Sequence, residues 1–319
     1  MALRVENNRL VGNVDNLETK LNGKLPVDRL ELIYLVNSWG RSETFITYNN
    51  DMEIIIKKCE VKECYDLSKL DVSEITNMEN LFLGSNFNVD IHSMNGIGLD
   101  NGDISNWNVS NVTNMSFMFH RSYNFNCDIE NWDTSKVTDM NSMFSYATSF
   151  NQEINWNTSK VINIKGMFKG TQVFNKRVIL NTINVTNMDN VFDSSRKFNQ
   201  LLNFNTSNVT SMKSMFFLTN SFNKPLNFDT SNVTDMSYMF CSTRLFNQKL
   251  NFDTSKVTNM EKMFCFAKLF NQDISNFKFD NITNINSINL LDNSKIHKSI
   301  KEKILEKMVL RINEIMFLC

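Results

Sequence analysis

Catalysis needs reactive side chains brought together, and this sequence offers few to bring. Its three histidines, His92, His120 and His297, lie far apart, and His120 falls on the predicted outer face of a repeated segment, in solvent. Six cysteines stand at 59, 64, 127, 241, 265 and 319 with no C-x-x-C pair, so zinc-ligand spacing is absent. Cys59 and Cys64 are close in sequence, and Cys241 and Cys265 are one repeat apart. The sequence leaves their oxidation state open, with free thiols in a reducing compartment as the plainer reading. Asp133, Asp229 and Asp253 share one register. Asp229 and Asp253 on adjacent units could share a cation, although a solvated polar column explains them as well. There is no G-x-S-x-G, H-E-x-x-H or G-x-G-x-x-G, and no glycine loop to cradle phosphate. The expectation is a protein that is not an enzyme, with no catalytic residue, no metal and no cofactor.

What positions these scattered groups is a tandem repeat. Aligned on the residue before Thr in V-T-x-M, the marks fall at Val112, Val137, Val161, Val185, Val209, Val233, Val257 and Ile282, in steps of 24 or 25. An earlier copy has Ile75, set back by 37, which is one unit plus an insertion of 13 near 89–101. The count is about nine copies, and units this small fold only by covering one another.

One unit reads L-N-F-D-T-S-N-V-T-D-M-S-Y-M-F-C-S-T-R-L-F-N-Q-K from Leu226. Leu226, Phe228, Ser231 and Val233 fit the leucine-rich-repeat template, a very short strand with one face inward. Met236, Met239, Phe240 and Thr243 then follow at i, i+3, i+4, i+7, which predicts a short helix starting after Asp235. A second inward Phe, here Phe246, closes the unit and is followed by Asn. That Asn recurs at 126, 151, 175, 199, 223, 247 and 271, suited to bonding backbone where a buried chain turns. A second amide column, Asn106, Asn131, Asn155, Asn203, Asn227 and Asn251, is expected to form a ladder on the strand face. The extra residue before Trp132 predicts a bulge in the 25-residue units.

The predicted architecture is an α/β solenoid, leucine-rich-repeat-like, with short parallel strands, short helices and terminal caps. Its parts are an N-terminal cap region over 1–65, the repeat solenoid over 66–291 and a C-terminal capping helix over 292–319. The N-terminal part is expected to hold a helix near 27–37 and strands near 44–48 and 52–59. The last helix carries an apolar stripe through Ile296, Ile300, Ile304, Met308, Ile312 and Met316.

The run W-D-T-S-K-V-T-D-M-N-S-M-F-S-Y-A-T-S-F-N-Q at 132–152 resembles the BspA-like repeat of bacterial surface proteins and mycoplasma lipoproteins, found also in large amoeba-infecting DNA viruses. The resemblance spans roughly 66–291. It implies a leucine-rich-repeat-like solenoid with roles in adhesion or protein contact, and no catalytic residues. The chain departs from the surface-exposed members in having no signal-like segment at Met1–Asn8, no lipobox cysteine near its start and no wall anchor.

Composition agrees with a packed, non-ionic interior. The chain has 26 Phe and 18 Met but only 9 Gly and 2 Pro, which argues against a disordered linker. A net charge of −1 gives no basic patch for nucleic acid, and no apolar run is long enough to span a membrane. The N-x-T triplets at Asn111, Asn208 and Asn232 arise because the repeat itself spells N-V-T. The expected function is a structural or protein–protein interaction scaffold, intracellular or within a virion as part of a large assembly. The alternative is a bacterial adhesin or host-surface binder. The residues expected to face an unidentified protein partner are Phe217, Leu218, Tyr238, Leu245, Phe266 and Leu269, at outward positions of late units.

Overall fold

The computed structural model describes residues 67–84 and 103–317 without a break, preceded by the segments 4–6, 9–11, 27–29, 43–48 and 54–59 and by Leu32. The insertion with His92 and Asp100, Cys64, the side chain of Cys59 and most of the segment 27–37 lie outside the described residues. In the early segments β1 (Arg4–Glu6) pairs antiparallel with β2 (Arg9–Val11), and β3 (Glu43–Tyr48) with β4 (Ile54–Cys59).

From residue 67 onward, each unit lies against its neighbours in sequence. In the first half of the unit, Leu226 and Phe228 are buried and Asn227 between them is exposed, the alternation of an extended chain with one side inward. Among the described residues regular parallel pairing is confined to β5 (Ile154–Asn155) and β6 (Val178–Ile179). Elsewhere single parallel bridges join equivalent residues of successive units, as in Asn114↔Asp139, Asp139↔Asn163, Ser211↔Asp235 and Asp235↔Asn259. In the 25-residue units the extra residue closes a turn: the Trp107 and Trp132 N–H groups bond the Ile104 and Ile129 carbonyls at 3.1 and 3.3 Å. The Trp132 indole then donates back one unit, to the Ile104 carbonyl at 3.0 Å.

The second half differs from the short helix its spacing predicts. Over 236–243 the chain is a run of turns whose N–H groups alternate between two destinations. Those of Met236, Tyr238, Phe240 and Ser242 donate to carbonyls of the next unit, at Asn259, Glu261, Met263 and Cys265. Those of Met239, Cys241 and Thr243 bond three residues back. Tyr238 and Ser242 take φ of 59°, and the same two registers carry positive φ through the stack, usually on residues other than glycine. A left-handed residue costs about 1 kcal/mol, so local preference does not select this path. Bonds between units do, and a four-residue helical ring would forfeit them.

Packing supplies the rest. Two files of phenylalanine run through the core, fully buried. Phe168, Phe192, Phe216, Phe240 and Phe264 follow one another at 5.5 to 5.7 Å between ring centres. Phe174, Phe198, Phe222, Phe246 and Phe270 do so at 5.7 to 6.1 Å. Within a unit the files touch, Phe240 to Phe246 at 4.2 Å and 6°. Near-parallel, offset rings suit the aromatic quadrupole, and each buried ring contributes about 1.5–3 kcal/mol.

Because these N–H groups of the turn run point toward the next unit and their acceptor carbonyls toward the previous one, the two ends of the run need opposite partners. At the first unit, Asn77 and Glu79 occupy the acceptor registers with no unit before them. The Arg29 guanidinium donates to both carbonyls, at 3.0 and 3.1 Å. At the last unit the 3-10 helix Ile285–Leu291 and its flank accept: Phe264 N–H bonds Leu290 O at 2.9 Å and Phe266 N–H bonds Asp292 O at 2.8 Å. Helix α1 (Lys298–Phe317) follows, burying Ile304 and Met308. The apolar stripe expected to reach Met316 stops at Ile312, since Met316 is 59% exposed. Among the described residues no helix is long and apolar enough to cross a membrane.

Candidate functional site

Most polar side chains repeated along the units bond the backbone. The Oδ1 atoms of Asn126, Asn151, Asn175, Asn199, Asn223 and Asn247 each accept the backbone N–H of the asparagine one unit on, at 2.8 to 3.0 Å. Asn271 bonds the His297 N–H in the same way at 3.1 Å, tying the file to the approach of α1. The amides of Asn208 and Asn232 donate to the Ile183 and Ser207 carbonyls of the preceding unit at 2.8 Å, so these N-x-T asparagines brace the stack. The second amide column differs from its expected ladder. Asn155, Asn203, Asn227 and Asn251 are exposed, and no side-chain hydrogen bond joins them to each other among the described residues.

The groups weighed for chemistry resolve in the same direction. The Asp133, Asp229 and Asp253 carboxylates each accept the backbone N–H two residues on, from Ser135, Ser231 and Ser255 at 2.9 to 3.0 Å. Hydrogen bonds from those serines hold all three carboxyls below the usual range. Among the described residues no three His, Cys, Asp or Glu side chains gather as metal ligands. His120 is half-buried rather than solvated. It lies edge-on to Phe117 at 5.7 Å and to Tyr146 at 6.0 Å, and its Nδ1 is buried without a partner. Burial first, then Arg121, pushes its pKa down. Cys241 and Cys265 are free, buried thiols on adjacent units, and burial pushes Cys241 up to about 11. Thiolate, the nucleophilic form, is thereby disfavoured.

The bulky groups of the late units form the remaining candidate. Phe217 and Tyr238 are half-buried and meet edge-to-face at 6.4 Å. The Tyr238 hydroxyl donates to Glu261 Oε1 at 2.6 Å, and Lys262 Nζ lies 5.7 Å from its ring centre. That bond to Glu261 pushes the Tyr238 phenol up to about 12 and holds the Glu261 carboxyl low. Leu245 and Leu269, one unit apart in the same register, are 46% and 43% exposed, and Phe266 is 49% exposed. Leu218, half-buried, shares the register of Phe266 two units away, with Ser242 between them. Leu218, Tyr238 and Phe266 hold φ of 54° to 59°, in registers where other units place Gly84, Gly166, Gly170 or Asn190. Glu261 and Lys262, which anchor Tyr238, were not among the residues singled out from sequence. Their signal is a charged pair in a register that holds uncharged Asn141 and Ser142 in an earlier unit.

The family model described as "Mycoplasma protein of unknown function, DUF285" matches the chain in three segments, 50–179, 178–251 and 226–309. No curated protein and no solved structure matches it.

Proposed function

Since the chain belongs to the DUF285 family of mycoplasma-type repeat proteins, we propose that it is a non-enzymatic solenoid scaffold related to the BspA-like leucine-rich repeats. It holds a protein partner within a larger assembly through the turn half of its late units. One observation carries this reading. Leu218, Tyr238 and Phe266 occupy left-handed backbone, where a bulky side chain is strained, and Phe266 still stands half in water. Every unit takes this backbone because it aims N–H groups at the next one, but a Phe left half in water at a register that elsewhere holds Gly or Ser gains no packing inside the fold, and clustered exposed apolar groups of this kind mark where a protein meets something else. Aromatic and leucine side chains over neighbouring units suit an apolar protein surface, with Lys262 and Glu261 as a polar margin.

The test uses Leu245→Asp, Phe266→Asp and Leu269→Asp together, all at exposed positions, so that folding survives. Wild type and variant are compared by affinity capture and quantitative mass spectrometry from the native source, after matching their thermal unfolding. Loss of the captured protein in a variant that unfolds like wild type is the expected result. Equal capture by both proteins rejects this surface.

A further inference from the structure

The extended half of the stack carries a different feature. A groove of about 420 Å³ opens there across three successive units, lined by Arg177 and Ile179 of one, Gln200 and Leu201 of the next, and Lys224 of the third. It coincides with a local break in the repeat. Where neighbouring units place Asn155, Asn203, Asn227 and Asn251, this one has Ile179, 40% exposed. Where others place Glu153, Pro225 or Lys249, the next unit has Leu201, 60% exposed. Two aliphatic side chains thus stand in water at registers that are otherwise mostly polar.

The charges beside them are unmatched. Among the described residues neither Arg177 nor Lys224 has a carboxylate at ion-pair distance, whereas on the turn half Lys169 pairs with Asp193 at 2.8 Å. The backbone is also open here. Regular pairing of β5 with β6 does not continue, and residues 201–204 make no backbone hydrogen bond to either neighbouring unit among the described residues. Main-chain donors and acceptors therefore remain beside an apolar floor and two cations.

We propose that this groove binds an extended acidic peptide segment. Its carboxylates pair with Arg177 and Lys224, and an aliphatic side chain between them rests on Ile179 and Leu201. Charge complementarity chooses an acidic occupant over a basic or neutral one, and the spread over three units favours an extended chain over a compact anion. The site lies on the other half of the units from the surface proposed above and does not depend on it.

The experiment is isothermal titration of the full chain at low ionic strength with an acetylated octapeptide of alternating Glu and Leu. Alternating Lys–Leu and Ser–Leu octapeptides, free glutamate and anionic phospholipid vesicles serve as comparisons. The Glu–Leu peptide is expected to bind most tightly, and binding to weaken with salt. The double variant Arg177→Glu and Lys224→Glu, both surface changes, is expected to lose about ten-fold in affinity for it and to turn toward the Lys–Leu peptide. Ile179→Asn, which installs the residue of neighbouring units, is expected to weaken binding by a smaller factor. The proposal is overturned by no binding of the Glu–Leu peptide, by equal binding in the folded double variant, by equal binding of the Ser–Leu peptide or free glutamate, or by capture of vesicles alone. Because the double variant leaves the turn half untouched, its result is independent of the capture experiment above.

Discussion

Two files of asparagine run along this stack with the same period, and they do different work. In the file through Asn175 and Asn199, each amide oxygen accepts a backbone N–H of the next unit. In the file through Asn203 and Asn227, the amides stand in water. The first follows a buried phenylalanine, where the chain turns and each N–H meets the amide oxygen of the asparagine one unit back. The second lies between two inward residues of an extended segment and points outward. Equal repetition therefore does not mean equal importance. What decides the role of each file is the path of the backbone beside it: a turning chain brings an N–H within reach of the amide oxygen one unit back, and an extended one does not.

The largest effect that sharpens this contrast lies beside the bonded file. Phe192 is fully buried and stacks on Phe168, Phe198 and Phe216. Phe192→Ala is expected to cost about 3–5 kcal/mol in denaturant unfolding. Next, Asn199→Ala leaves the half-buried Asn223 N–H without its acceptor and is expected to cost about 0.5–1.5 kcal/mol. Asn199→Asp, which keeps an acceptor oxygen, is expected to cost less. Asn203→Ala, in the solvated file, belongs at the other end of the scale.

Between these extremes lies the turn surface, where pH gives the reading. The Tyr238 phenol rises from 10.0 to about 12 because it donates to the Glu261 carboxylate. A group whose pKa is raised by folding stabilises fully below its unfolded value, and that share is lost as pH rises through the folded one. Stability is thus expected to fall between pH 10 and about 12, and Tyr238→Phe to shallow that fall in a pH series of urea midpoints. The decline does not vanish in the variant, since burial raises the Cys241 thiol from 9.0 to about 11 and its share is lost between those values, overlapping the lower part of this range. The smallest effect is that of Asn203→Ala, expected to stay within about 0.5 kcal/mol of wild type.

Some of this arrangement is legible in the sequence and some is not, for physical reasons. The burial of Met236, Met239, Phe240 and Phe246 can be read from spacing, since large apolar groups at one period must share a side. The backbone carrying them cannot. The spacing i, i+3, i+4, i+7 serves an α-helix and a run of turns equally well. The difference lies in bonds from Tyr238 to Glu261 and from Phe240 to Met263, which exist only once a neighbouring unit is present. The two asparagine files look alike as letters for the same reason. Arg29 is invisible to a reading based on the repeat because it stands outside it, yet it fills the acceptor registers of Asn77 and Glu79. Of the outward residues named from sequence, Phe217 and Tyr238 meet, while Leu218 and Phe266 are separated by Ser242. Ile179 and Leu201 are single departures from a column, and they show only when each column is read for its exceptions.

The central claim is that bonds from one unit to the next, rather than bonds inside a unit, hold this chain together. Residue-resolved amide hydrogen exchange tests it most directly. The N–H groups of Asn175, Asn199, Asn223 and Asn247, with those of Phe192, Phe216 and Phe240, all donate to another unit and are expected to exchange slowly and together. Those of Asn203 and Asn227 are expected to exchange fast. Rapid exchange at Asn175 through Asn247, matching that of Asn203, would contradict the account.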